Sequence, residues 1–402
     1  MQKIYTKDEL KLSKQYADRL SEIQPFKVMK LLARANELEE QGRPIIHMEV
    51  GEPDFPTPEP IVNAGKRALD AGLTKYTPAE GLPALRKKIA EHYKNVYGLD
   101  VSYERIFVTS GGSGALLLAT ALTLNHGEGL LMSDPGYPCN RHFLKSFGAE
   151  GQLVPVTAET GFQLTADLVA QNWQETTRGV MLASPSNPTG AIIDLKDLRE
   201  IIDVLEVQKG HLIVDEIYHG LHYSAESLFT ALEFSDDAIV INSFSKYFGM
   251  TGWRLGWIVV PEPAIPHIQK LAQNLFICAS SIAQYAALSA FEPEAIAEME
   301  SNRKEFKDRR DFLVHSLKGL GFGITLIPEG AFYVYAKLPN GYTDAESFCS
   351  RMLEEFDVAI TPGTDFGYFD ADVSVRFSYA QNLEKLAQGI ENLRRGLIPL
   401  EE

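Results

Sequence analysis

Cysteine is scarce in this sequence. Cys139, Cys278 and Cys349 are three in 402 residues, widely spaced, with no CxxC pair. That leaves no disulfide framework and points to a reducing compartment. Positive charge is short as well: 38 Lys and Arg stand against 54 Asp and Glu, a formal net charge of −16. Nucleic acid and anionic membrane both need a basic surface, so neither is expected as the main partner. A small anion is still compatible, because one or two arginines and a helix N-terminus hold it locally against the net field. Long apolar runs are missing too. The most apolar stretch, 277–291, is interrupted by Ser280, Ser281 and Gln284 and is too short and too polar to span a bilayer. The opening MQKIYTKDELKLSK is charged throughout and has no apolar h-region. No signal peptide is therefore expected, and the protein is read as soluble and cytoplasmic.

What is present has an order. The length suggests two or three domain-sized units, and 45% hydrophobic content is ordinary for a globular chain. A helix-like stretch from Phe26 to Gln41 ends at Gly42 and Pro44, and GEPDFPTPEP (51–60) then excludes regular helix and central strand. From about residue 61, short Val/Ile/Leu-rich runs alternate with helical stretches: RIFVTS, GLLMSD, GVMLAS, HLIVDE, AIVINSFS and GWIVV. Such runs suit strands buried on both faces of a parallel sheet, so the pattern reads as a doubly wound α/β domain. After about residue 292 a long charged helix, the strand AFYVYAKL, a helix, a strand near 373–378 and a last helix suggest a smaller α+β unit. The expected division is an N-terminal arm and part of the small domain (1–60), a large domain (61–292) and a C-terminal small domain (293–402).

Four features fall where an α/β sheet builds its site, at the carboxyl ends of strands. Ser110-Gly111-Gly112-Ser113-Gly114 follows RIFVTS and precedes a helical stretch. Glycines there let backbone approach a phosphate, though a tight turn uses the same residues. Asp215-Glu216 ends HLIV, where a buried carboxylate needs a partner. It is either a helix cap or loop acid, or an acid paired with a heterocyclic nitrogen or a cation, with Tyr218 aimed into the same cleft. Lys246 follows Ser243-Phe244-Ser245 among Tyr247, Phe248 and Met250. Burial would lower its pKa and make it an imine-forming nucleophile; a solvated surface lysine is the alternative. Arg254, in Gly252-Trp253-Arg254-Leu255-Gly256, is either a bidentate phosphate clamp or half of a structural salt bridge.

Taken together these motifs resemble the class I/II aminotransferases of pyridoxal-phosphate fold type I. The resemblance runs from GEPDF near residue 51 to VRFSYA near residue 380, and it is carried by SFSKYFGMTGWRLGW, SPSNPTG, DEIY and Arg376. It implies a mostly parallel seven-stranded sheet sandwiched by helices, with a smaller α+β domain. It implies that Lys246 holds pyridoxal 5'-phosphate through a Schiff base and shuttles the substrate proton. Asp215 would keep the ring nitrogen protonated, Asn187 and Tyr218 would bond the ring's 3' oxygen, and Tyr137 would stack on the ring. Gly112, Ser113, Ser243 and Arg254 would hold the phosphate. Tyr76 would reach the phosphate from a partner subunit, implying a homodimer with shared sites. Arg376, helped by Gly51 and Asn187, would pair with the substrate carboxylate. The reaction implied moves an amino group between an L-amino acid and a 2-oxo acid, a step of amino-acid metabolism and biosynthesis.

Asp365, in PGTDFG, departs from the small residue often found there, which leaves the entrance of the site open. A β-eliminating carbon–sulfur lyase on the same scaffold shares the lysine, aspartate and arginines and is the alternative function. A transcription regulator needs a DNA-binding module before the fold, and the residues before GEPDF resemble the enzymes' own arm. His219 and His222 lie near Glu216 without zinc-motif spacing, so no metal is expected. Ile23 and Phe26 in the arm lean toward neutral, apolar or aromatic substrates.

Overall fold

The computed structural model describes residues 16–224 and 228–397. The charged segment 1–15, on which the expectation of no signal peptide rests, lies outside the described residues. In chain order the strands are β1 (Ile46–His47), β2 (Ile106–Thr109), β3 (Gly129–Asp134), β4 (Glu150–Pro155), β5 (Thr177–Ala183), β6 (His211–Asp215), β7 (Ile239–Ser243), β8 (Gly256–Val259), β9 (Tyr333–Lys337), β10 (Val358–Ala359), β11 (Thr361–Pro362) and β12 (Ser374–Ser378).

The seven-stranded sheet has the order β2-β8-β7-β6-β5-β3-β4. All its strands but β4 are apolar and largely buried because helices cover both faces, one cluster centred on Leu182, Val214 and Val240 and the other on Met181, Ile213 and Ile241. Two features differ from the sequence pattern. GWIVV is β8, antiparallel to both β2 and β7. Residues 244–255, which separate β7 from β8, contain no α-helix to cross the sheet, so the chain turns straight back. The strand β4, EGQLVP, at the sheet edge, shows no apolar run: Leu153 and Val154 are its only large apolar side chains, and only Val154 is buried.

Helix ends follow local chemistry. Pro83 opens the helix Pro83–Tyr97 and Gly98, at φ +71°, closes it. Helix Gly111–Thr123 is apolar on nearly every side, and it packs between the sheet and its neighbours.

Beyond residue 292, helix Pro293–Gly319 leads to an antiparallel sheet ordered β11-β12-β9. The N-terminal β1 pairs in parallel with β10, Ile46 beside Val358. Helix Lys27–Glu40 packs there too, through Ala35 and Leu38 against Leu353 and Ala359. The GEPDF turn is tied down by Arg309, a fully buried cation of the long helix. Its Nη1 donates to Asp54 Oδ1 at 2.7 Å and to the Ala380 carbonyl at 2.8 Å, and its guanidinium lies 4.5 Å from the Phe55 ring centre. That anchor fixes where Gly51 stands. Among the described residues no helix is long and apolar enough to cross a membrane.

Candidate active site

A cavity of about 380 Å³ opens at the carboxyl ends of β2, β5, β6 and β7, walled on the other side by the arm helix and by β9 and β12. Gly51, Gly112, Ser113, Tyr137, Asn187, Asp215, Tyr218, Ser243, Lys246, Arg254 and Arg376 all line it. Tyr76 does not; it stands 80% exposed at the surface.

One end of the cavity is built for an anion. Helix Gly111–Thr123 begins there with no side-chain cap and no acid in its first turn, so its first N–H groups and dipole face the space unspent. Gly111 has φ +71°, and a Cβ on it would sit 2.8 Å from Arg254 Nη2. Only glycine lets that guanidinium lie against the helix start. Arg254 itself adopts a left-handed backbone, φ +52°. Its Nη1 donates to the Thr251 carbonyl at 3.1 Å, and no acid pairs with it among the described residues. Ser243 lines the same end, though its hydroxyl donates to the Leu255 carbonyl at 3.2 Å.

Midway lie an acid and an amine that do not touch one another. Asp215 is buried at the tip of β6, and Oδ1 accepts from the Ile217 N–H at 3.1 Å. Burial pushes its carboxyl up to about 7, opposed by that N–H and by the charge on Lys246. Lys246 Nζ donates instead to the Gly51 carbonyl, 2.7 Å away, beneath the rings of Tyr218 and Phe332 at 5.7 and 5.5 Å. Burial brings the amine down to about 8, against the pull of Glu52. A lysine at about 8 is a nucleophile near neutral pH.

The far end holds a buried cation without a counter-charge. Arg376, 2% exposed on β12, has no carboxylate partner among the described residues. Nη1 donates to Asn187 Oδ1 at 2.9 Å, Nη2 donates to the Glu49 carbonyl, and Nε has no acceptor at all. Its guanidinium stacks 4.3 Å from the Tyr333 ring centre and 4.7 Å from that of Phe366. An unpaired buried guanidinium is costly, and a planar carboxylate is the group that relieves it.

Sequence reasoning missed Tyr333. Its hydroxyl meets that of Tyr218 at 2.9 Å and lies where a side chain on Gly51 would be. An aromatic inside the strand AFYVYAKL carries no signal of which face it takes. Also missed was the wall formed by Val28, Met29 and Leu32; Phe26 belongs to it, whereas Ile23 does not line the cavity. His219 goes to the core: Nδ1 meets Tyr97 Oη at 2.7 Å and Glu216 Oε2 at 3.4 Å. Burial takes its ring down to about 3 and the Glu216 carboxyl up to about 8. No cluster of three or more His, Cys, Asp or Glu is placed to hold a metal among the described residues.

The model of a family described as aminotransferase class I and II matches residues 43–393. A (5-formylfuran-3-yl)methyl phosphate transaminase of Methanocaldococcus jannaschii is 39% identical, over 94% of this chain and 98% of its own length. A valine–pyruvate aminotransferase of Mycobacterium tuberculosis is 38% identical, over 89% and 92%. The crystal structure of an aminotransferase from Mycobacterium tuberculosis superposes with a TM-score of 0.92 at 36% identity, covering 96% of this chain and 99% of that one.

The Gly51–Tyr333 contact gives a direct check. Gly51→Ala should destabilise the fold by about 1–3 kcal/mol, as overpacking does. In a Tyr333→Phe background the penalty should shrink, because the overlapping hydroxyl is gone. Denaturant melts of the four proteins measure both, and a penalty unchanged by Tyr333→Phe contradicts the packing.

Proposed function

Since the chain belongs to the class I and II aminotransferases and so moves an amino group between an L-amino acid and a 2-oxo acid, we propose that it works with pyridoxal 5'-phosphate held on Lys246 and acts on neutral, mainly apolar amino acids. The observation that carries this is the buried Lys246 amine, bonded to the Gly51 carbonyl, in one cavity with the carboxylate of Asp215 and the guanidinium groups of Arg254 and Arg376.

The residues present fit that cofactor. The uncapped helix start at Gly112 and Ser113, with Arg254 and a re-aimed Ser243 hydroxyl, suits the phosphate. Asp215 suits the protonated ring nitrogen, since a cation there offsets the burial that pushes its carboxyl up. Asn187 Nδ2 and Tyr218 Oη suit the ring oxygen, and Tyr137 suits the ring face. When bound, pyridoxal phosphate supplies a sink for the electron pair left on the substrate Cα. The chain's own part is positioning and proton transfer. Arg376 Nε and its one remaining Nη1 N–H orient the substrate carboxylate. Lys246 Nζ, in its unprotonated form, takes the proton from Cα and returns it on the far side of the transfer. Asp215 keeps the charge on the ring nitrogen in place.

The substrate class follows from a count of charges. Lys246, Arg254 and Arg376 are the cations lining the cavity among the described residues, and each has a role above. None of this chain's own cations is left for a side-chain carboxylate. The remaining wall, Phe26, Val28, Met29, Leu32 and Tyr137, is apolar or aromatic, and the valine–pyruvate relative is in keeping with it. The lyase alternative gains no support: the relatives above are transaminases by name, and no described residue of the cavity favours elimination. Cytoplasmic residence rests on the three unpaired cysteines, and the division into domains at about residues 60 and 292 rests on the sequence pattern.

A homodimer is part of the proposal. Leu73, Tyr76, Leu275 and Ile277 are exposed apolar side chains on segments brought together where Ser281 Oγ donates to the Lys75 carbonyl, a contact that supports an interface.

In a half-reaction panel, each amino acid is mixed with the pyridoxal form and loss of its visible absorbance is followed. Valine, leucine, phenylalanine or alanine should react; turnover of aspartate with none of these would overturn the substrate reading. For the dimer, mixing inactive Lys246→Ala with Tyr76→Ala subunits should restore a share of activity, since one site per hybrid keeps both groups. No gain on mixing counts against shared sites.

A further inference from the structure

Asp365 is the departure that left the entrance open in the sequence, and its carboxylate does not line the cavity. It is 3% exposed and sits at the start of helix Lys27–Glu40, where Oδ1 accepts the Lys27 N–H at 3.0 Å and Oδ2 the Val28 N–H at 3.2 Å. That helix has no cap of its own: Phe26 at its N-cap has no acceptor side chain, and the first turn holds no acid. The cap is supplied from across the chain. Burial raises the Asp365 carboxyl, while the two N–H groups, Arg376 and Lys27 all favour its charge.

The segment bearing Asp365 is itself fixed to the large sheet. Asp134, at the tip of β3, accepts the Tyr368 N–H at 3.1 Å and the Phe369 N–H at 3.3 Å. The Phe366 carbonyl accepts from Gly136 at 2.9 Å, and the Asp365 carbonyl from Arg141 Nη2 at 3.2 Å. One short run thus joins the sheet, the strand pair that carries Arg376, and the first turn of the arm helix. That turn presents Phe26 and Val28 to the cavity, with Phe26 edge-on to Tyr137 at 6.1 Å.

We propose that Asp365 is a specificity-positioning residue, which by capping the arm helix holds Phe26 and Val28 as the wall against which a large apolar substrate side chain packs. The proposal rests on the reading of that wall as the substrate side-chain site. Asp365 touches neither substrate nor cofactor. Its effect is on KM for bulky amino acids, because alanine does not reach the wall.

The experiment compares holoenzymes of wild type, Asp365→Ala, Asp365→Asn and Phe26→Ala. Steady-state kinetics with alanine, leucine and phenylalanine are paired with amide exchange across 26–32. Asp365→Ala should raise KM for leucine and phenylalanine about tenfold, the scale of lost contacts in an apolar pocket. It should leave kcat and the alanine KM within twofold and speed exchange in 26–32. Asp365→Asn, which keeps one of the two acceptor oxygens, should recover part of the loss. Equal effects on alanine and leucine, or unchanged exchange, would overturn the proposal. Should Asp365→Ala not fold, Phe26→Ala must still give the leucine-specific rise, and Asp365→Asn a smaller one; their absence overturns it equally. A wild-type enzyme that treats leucine and alanine alike fails the wall reading itself, and exchange in 26–32 then still reports on the cap.

Discussion

The site depends on keeping a buried acid and a buried amine apart. Were Asp215 and Lys246 to form a direct ion pair, each would stabilise the other's charge, and the amine would be a poor nucleophile. Lys246 is instead drawn to the Gly51 carbonyl, and the Asp215 carboxylate has one N–H for company. At about 1.4 kcal/mol for each pH unit, the climb of the Asp215 carboxyl from 3.8 to about 7 costs its ionised form roughly 4 kcal/mol. An acid whose folded pKa is raised binds a proton on folding. Its unfavourable contribution to the cofactor-free fold therefore grows as pH rises from about 4 to about 7 and is constant above that. On the proposed reading, a protonated ring nitrogen at the acid would remove that cost and so tie cofactor binding to fold stability.

Much of the remaining architecture serves this separation. The sheet delivers Asp215 on β6 and Lys246 just past β7, neighbouring parallel strands. Gly51 comes from a different part of the chain, on a turn anchored through Asp54 to the buried Arg309. Tyr333 fills the space that any side chain on Gly51 would need. The antiparallel return of β8 brings Gly256 against Gly111 and Gly112, where a Cβ would lie 2.8–2.9 Å from their backbone. That close approach seats Arg254 at the helix start. Fold and chemistry are coupled through backbone contacts that only glycine allows.

The sequence was legible where burial alone sets the pattern. Runs such as HLIVD and AIVIN mark central strands because both faces are covered, and the residues after them fall in the cavity. It was less legible where pairing or distance decides. The edge strand β4 carries only two large apolar residues, Leu153 and Val154, one toward each core, and so shows no continuous apolar run. Nothing in GWIVV distinguishes an antiparallel strand from a parallel one; the direction is set by the short return that precedes it. Tyr333 and Asp365 take their places from contacts more than 100 and 300 residues away in sequence, which local periodicity does not register. Arg376, by contrast, stands out as a charge inside the buried strand SVRFS. Tyr76 stays at the surface of this chain.

The central claim is that burial brings the Lys246 amine down to about 8 without pairing it to Asp215. The direct measurement is the pH dependence of borohydride-trapped imine formation between cofactor-free protein and a small aromatic aldehyde, mapped by mass spectrometry to each lysine. Lys246 should react ahead of the surface lysines, its rate rising as pH passes through about 8. A midpoint near the ordinary lysine value of about 10.4, or another lysine reacting first, would contradict the account.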